Sequence, residues 1–167
     1  MVHEKLTASD VKKIQEEIEY RKLVIRKEAL EAVKEARAHG DLSENFEYKA
    51  AKQYKNQNES RIRYLERMLK NAQVIEDEWE ADEIGLNSVV KIYIEEDDEE
   101  EEYKIVTSIR GSSLKGYISI ESPLGKALLG HKVGDTVHIR VSDTYGYDAV
   151  VRSISKEDES SDEIRKF

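Results

Sequence analysis

Asp41 and Glu44, in the segment His39-Gly40-Asp41-Leu42-Ser43-Glu44-Asn45, are the pair of side chains best placed to do chemistry. Carboxylate oxygens suit a hard cation such as Mg2+, which keeps several waters and usually takes its remaining ligands from substrate phosphates. Two carboxylates alone make a weak site, so tight binding would need ligands from a substrate or a second protein, and an autonomous metalloenzyme is disfavoured. The same spacing has a purely structural reading. Asp41 as a helix N-cap with Glu44 at the third helical position is a capping-box variant contributing about 1 kcal/mol, and both charges suit the positive end of a helix. The local pattern leaves both readings open.

The elements that would position this pair are two long helices. Thr7 predicts a helix N-cap, with Asp10 three residues on and Leu6 and Val11 able to form a hydrophobic staple. Val11, Ile14, Ile18, Ile25, Ala29, Ala32 and Ala36 then fall on one helical stripe that ends at Gly40. A second stripe through Ala51, Tyr54, Ile62, Leu65, Leu69 and Ala72, interrupted by Asn58, predicts a partner helix starting just after Gly40. The short turn makes the two antiparallel neighbours, and about 30 residues each would project roughly 45 Å. The contact residues shrink toward the turn, to Ala29, Ala32, Ala36, Ala50 and Ala51. Small residues let helices approach closely, which predicts a slender, weakly packed tip; Ala is also simply a good helix former.

After Trp79 the period changes to two. Strands are expected over 88–95, 102–107, 116–121, 136–141 and 148–155, punctuated by glycines, with a short helix over 124–129 behind Ser122-Pro123, an N-cap followed by Pro at the first helical position. The fold class expected is α+β, a helical hairpin followed by a small, mostly antiparallel sheet domain. Charge divides at the same place: residues 1–75 carry 16 Lys and Arg against 13 Asp and Glu, and residues 76–167 carry 11 against 23, within a total of −9. The domains expected are 1–76, an acidic linker 77–83, 84–157, and a charged, frayed tail 158–167. The acidic run from Glu95 to Glu102 is expected as a solvated hairpin tip; it has no turn glycine or ligand alternation that would organise a calcium loop.

The chain has no Cys, 38% hydrophobic and 38% charged residues, and no apolar run approaching the roughly 18 residues of a membrane span. These features exclude a disulfide framework and a thiolate metal site, and point to a soluble, untargeted, cytoplasmic protein.

The tip segment from His39 to Lys52, HGDLSENFEYKAAK, resembles the tip signature of the bacterial Gre transcript-cleavage factors. The segment from Ser122 to Asp135, SPLGKALLGHKVGD, resembles the signature of their C-terminal domain. Both lie in the right order on the elements above, so the resemblance covers roughly residues 5–155. It implies an N-terminal antiparallel coiled coil and an FKBP-like C-terminal domain. It also implies an accessory factor, not an enzyme in its own right, that is a monomer when free and binds bacterial RNA polymerase. Such a factor inserts its coiled coil through the secondary channel and stimulates cleavage of the backtracked RNA 3′ end. Asp41 and Glu44 match the tip acids that share a Mg2+ ion with the polymerase. Arg37 and Lys52 match basic positions that would contact RNA phosphates, with Lys49 and Lys55 adding charge nearby. Ser122 and Pro123 are placed at the polymerase-facing surface, or serve only as a helix start. The sequence departs from the family at Phe46, where a small residue is common, and over 107–113, which lacks an acidic-Ala-Asp segment. The alternative function is a relative on the same scaffold that occupies the channel and inhibits; intact Asp41 and Glu44 favour stimulation.

Overall fold

Helix α1 (Ala8–Tyr20) begins one residue after Thr7, as the capping pattern predicts, and buries Ile14 completely. The structure is a computed structural model that describes residues 3–40, 44–159 and 162–165. The single helix expected to run from Thr7 to Gly40 is interrupted. Residues Arg21–Ile25 form a π-helical turn before α2 (Arg26–Arg37) resumes. A π turn holds extra backbone and rotates the phase of everything after it; Leu23 within it is 66% exposed, and beyond it Ala29 and Ala36 are buried. Opposite this turn on α3 (Phe46–Lys70) stands Asn58, the residue that breaks the second apolar stripe. It is buried, its amide donates to the Arg21 main-chain oxygen at 3.3 Å, and its Oδ1 accepts from Arg21 Nη1 at 3.1 Å. The polar residue and the helix irregularity therefore account for one another.

Arg26 forks onto both Glu59 oxygens at 2.7 and 2.9 Å, and Ala36 meets Asn45, so α2 and α3 run antiparallel. Ile62, Leu65 and Met68 supply the buried face of α3. The contact stripe differs from expectation near the turn: Ala29 and Ala36 are buried and Ala51 half-buried, but Ala32, Ala50 and Tyr54 are exposed. Where large apolar residues are missing, ion pairs bridge the helices. Glu17 accepts from Arg21 Nε at 2.7 Å and from Arg61 Nε at 2.8 Å. Burial works to raise the pKa of Glu17, but its two arginines outweigh it and hold the carboxyl below the ordinary range; Glu59 is held low by Arg26. A carboxylate whose folded pKa is depressed contributes stability that is present above its unfolded value and lost as pH falls through the folded one. Thermal melts are therefore expected to hold steady above about pH 5 and to drop as pH falls below about 4.3. A midpoint unchanged down to pH 3 would show that these pairs contribute nothing.

The chain divides into two compact units, one built mainly from residues 10–72 and the other from residues 5–9 and from Gln73 onward. Two short strands absent from the sequence reading, β1 (Glu4–Leu6) and β2 (Ala72–Val74), pair with each other. The second unit is a five-stranded sheet in the order β5-β4-β3-β7-β6, formed by β3 (Ser88–Ile94), β4 (Glu99–Val106), β5 (Tyr117–Ser119), β6 (Thr136–Arg140) and β7 (Gly146–Lys156). All pairings are antiparallel except β4 with β5. Alternation on β3 sends Val90, Ile92 and Ile94 inward to meet Ile105, Val137 and Leu128 of helix α4 (Pro123–Leu128). Ile75 and Trp79 pack against the same core, and Asp77 and Asp82 pair with Lys156 and Lys132 at 3.5 and 3.3 Å, so the acidic stretch 77–83 is fastened to the sheet unit.

Two expectations about charge are corrected. Only residues 95–98 form the turn of the acidic run, because Glu99–Glu102 lie in β4 and pair with Ile94–Lys91. The tail beyond Glu157 is not frayed where it is described. Lys104 Nζ lies 2.9 Å from Asp162 Oδ2, Arg110 Nη1 lies 2.7 Å from the same atom, and Arg110 Nη2 lies 2.9 Å from Glu159. A polar, charged tail looks solvated in sequence because its two buried cations stand more than fifty residues earlier.

Candidate functional site at the hairpin tip

The start of α3 decides what the tip acids are free to do. Its N-cap is Asn45, in extended backbone, whose Oδ1 accepts from Tyr48 N at 3.0 Å. The same side chain donates through Nδ2 to the Ala36 carbonyl at 2.7 Å. One amide thus satisfies an orphan N–H of α3 and a terminal carbonyl of α2, tying the two helix ends together. The capping-box reading of Asp41 and Glu44 is corrected accordingly: Glu44 stands in a turn ahead of the cap, exposed, and not at the third helical position. Asp41 lies outside the described residues. Asn45→Ala is expected to cost about 1 kcal/mol, read as a lowered midpoint in chemical or thermal unfolding; no change would show that another residue caps the helix.

Behind Glu44 the tip is basic and aromatic. Arg37 is the last residue of α2 and is exposed, and its guanidinium carbon lies 5.5 Å from the centre of the Tyr48 ring. Lys52, also exposed, approaches the same ring at 6.0 Å. The structure therefore brings together, around the Tyr48 ring, the two basic residues singled out from sequence. A hydrogen bond from Arg37, with the charges of Lys52, Arg37 and Lys55, holds the Tyr48 phenol below its ordinary pKa. Cations over an aromatic face gain modestly from its quadrupole and are held in place by it. Lys49 sits 5.6 Å from the Phe46 ring, and a shallow polar groove lined by Lys49, Lys52, Gln53, Asn56, Gln57 and Ser60 continues along α3. His39 meets Glu47 at 3.0 Å.

Glu44 offers hard oxygen ligands that the helix cap does not consume, the donor type that Mg2+ takes. Among the described residues no group of three or more His, Cys, Asp or Glu side chains converges to hold a metal ion. The described tip acid can therefore fill only part of a coordination shell.

The second pair of candidates lies on the sheet unit. Ser122 caps α4, its Oγ accepting from Gly125 N at 3.0 Å and donating to Ser119 O at 2.7 Å. A Cβ at Gly125 would fall 2.0 Å from the Ser119 oxygen, so only glycine lets the helix seat this closely on β5. The Ser122 hydroxyl is engaged inside the domain, while Pro123 is exposed.

Residues 4–74 match the family model "Transcription elongation factor, N-terminal", and residues 79–156 match "Transcription elongation factor, GreA/GreB, C-term". The chain belongs to the GreA/GreB family of transcription elongation factors. It is 50% identical over 137 residues to Transcription elongation factor GreA of Thermoanaerobacter pseudethanolicus, covering 81% of this chain and 87% of the relative. The GreA of Caldanaerobacter subterraneus subsp. tengcongensis matches with the same identity and coverage. Among solved structures, one of the transcription factor Gfh1 is 30% identical, with 92% of this chain and 97% of that one covered and a TM-score of 0.46. No helix among the described residues is long and apolar enough to cross a membrane.

Proposed function

We propose that this GreA/GreB-family factor binds bacterial RNA polymerase, passes its helical hairpin into the secondary channel and stimulates cleavage of the 3′ end of backtracked RNA. The factor is accessory: the catalytic machinery belongs to the polymerase. The observation that carries this reading is that Asn45 caps α3, so the acid ahead of it is exposed and not spent on the helix end.

Asp41 and Glu44 would supply carboxylate oxygens to a Mg2+ ion shared with the polymerase. In two-metal phosphoryl chemistry such an ion activates water or stabilises the leaving oxygen. The roles of this chain's own residues follow from their charge and place. The carboxylates would complete a partial ligand set and orient the attacking water. Arg37 and Lys52, steadied on Tyr48, hold the phosphates of the extruded RNA, whose position fixes the scissile bond. Ser122 sets the start of α4, and the exposed Pro123 beside it contributes to the polymerase contact.

The test is a halted, backtracked elongation complex incubated with the factor and Mg2+. A shortened RNA that resumes elongation is expected. RNA of unchanged length with slowed synthesis would instead identify a channel-occupying inhibitor, and cutting of RNA without polymerase would identify an independent nuclease.

A further inference from the structure

Phe46 is 81% exposed, the most exposed aromatic side chain among the described residues, and it stands two positions after Glu44. Nothing in the fold explains it. A phenylalanine left in water forgoes the burial that would make it stabilising, and Phe is a poorer helix former than Ala at an exposed position. Asn45 already caps the helix without it. What surrounds the ring is charge: the Lys49 ammonium lies 5.6 Å from its centre, and Arg37 and Lys52 hold the neighbouring Tyr48 between them. An open aromatic face beside ammonium and guanidinium groups has a chemical complement of matching shape and sign. That complement is an unpaired nucleobase, whose π face stacks on the ring while its own phosphate meets the cation.

We infer that Phe46 is a stacking platform for an unpaired base of the extruded RNA 3′ segment, with Lys49 pairing the adjacent phosphate. This rests on the proposed function, which brings single-stranded RNA to the tip, and adds to it a base-binding element distinct from the phosphate contacts of Arg37 and Lys52. Stacking is tolerant of sequence because every base has a π face, so the platform would hold any backtracked transcript. It would fix the RNA laterally next to the tip carboxylates, which binding of phosphates alone does not do.

The experiment uses reconstituted backtracked complexes of bacterial RNA polymerase whose extruded 3′ nucleotides are either normal or abasic. The full-length factor is compared with Phe46→Ala and Phe46→Tyr, recording half-maximal factor concentration and maximal cleavage rate separately. On normal RNA, Phe46→Ala is expected to lose about 10-fold in cleavage efficiency, and Phe46→Tyr, which keeps the ring, to stay within about 2-fold of the parent. On abasic RNA the three proteins should be equal. An equal thermal midpoint for Phe46→Ala is expected, since so exposed a ring takes no part in packing. A Phe46→Ala loss that persists on abasic RNA would show that the ring touches protein, and an absence of loss on normal RNA would show that it touches nothing; either overturns the platform. If the parent factor shortens neither RNA, the cleavage reading itself has failed and the platform fails with it.

Discussion

Replacing Glu44 by Gln, or Asp41 by Asn, is expected to abolish most cleavage stimulation while leaving the factor folded and bound to polymerase. Each substitution keeps the size of the side chain and removes the charge that makes its oxygen a good Mg2+ ligand. Charge stabilisation by a metal at a transferring phosphoryl group is worth several kcal/mol, so the loss should be about 100-fold or more. Stability should barely move, because α3 is capped by Asn45 and the Glu44 side chain is exposed. Asn45→Ala supplies the opposite pattern, a lowered unfolding midpoint with the acids intact. The measurement is a rate of RNA shortening in the backtracked complex, alongside a competition assay for polymerase binding and a thermal melt. A parallel fall in rate and midpoint would mean that the acids hold the tip together, and an unchanged rate would remove them from the chemistry. Raising the Mg2+ concentration should recover part of the loss for the variants, since a weakened ligand set is partly offset by mass action.

The expected division between a period of 3.6 and a period of two was legible because both halves carry long, regular stripes, and Ile14, Ile62, Leu65, Val90 and Ile92 are buried where periodicity puts them. The tip was harder to read. Asp41, Ser43 and Asn45 are all competent N-caps within five residues, and local propensity does not choose among them. The choice is made by the Ala36 carbonyl, a group nine residues earlier that only the folded hairpin brings within reach of the Asn45 amide. Tyr48 was missed as an organiser of Arg37 and Lys52 for a related reason. Its partner Arg37 comes from the other helix, while Lys52 at i+4 could have been found by helical spacing alone. Asn58 carried a visible signal, a polar residue on an apolar stripe, but its meaning depended on a π turn that no propensity marks.

The largest stability effect is expected at Asp162, in the tail that composition describes as solvated. Its side chain is 1% exposed and stands between Lys104, 3% exposed, and Arg110, fully buried. Both cations reach the same oxygen, at 2.9 and 2.7 Å, and Lys104 also donates to the second oxygen at 3.0 Å and to the Asp158 carbonyl at 3.2 Å. Buried ion clusters are not intrinsically better than apolar packing, but removing one member strands the others in a low-dielectric site, at a cost of about 3 to 5 kcal/mol. Asp162→Ala takes the shared anion from both cations, while Arg110 keeps Glu159 at 2.9 Å, so a cost of about 3 kcal/mol is expected. For a unit of this size the midpoint should fall by roughly 15 °C or more. Glu159 adds to the same anchor: burial raises its pKa, yet hydrogen bonds from Asn87, Thr7 and Ser9 and the charge of Arg110 hold it low. A chain ending at Glu157 should thus lose at least as much as Asp162→Ala. Apolar replacement of the triad, Lys104→Met with Arg110→Met and Asp162→Leu, should recover part of the loss, because the three buried charges are gone and only Glu159, 16% exposed, is left without Arg110. If Asp162→Ala and the truncated chain both melt with the parent, the cations must find water in place of the tail, and the tail would be an ornament of the fold and not one of its fastenings.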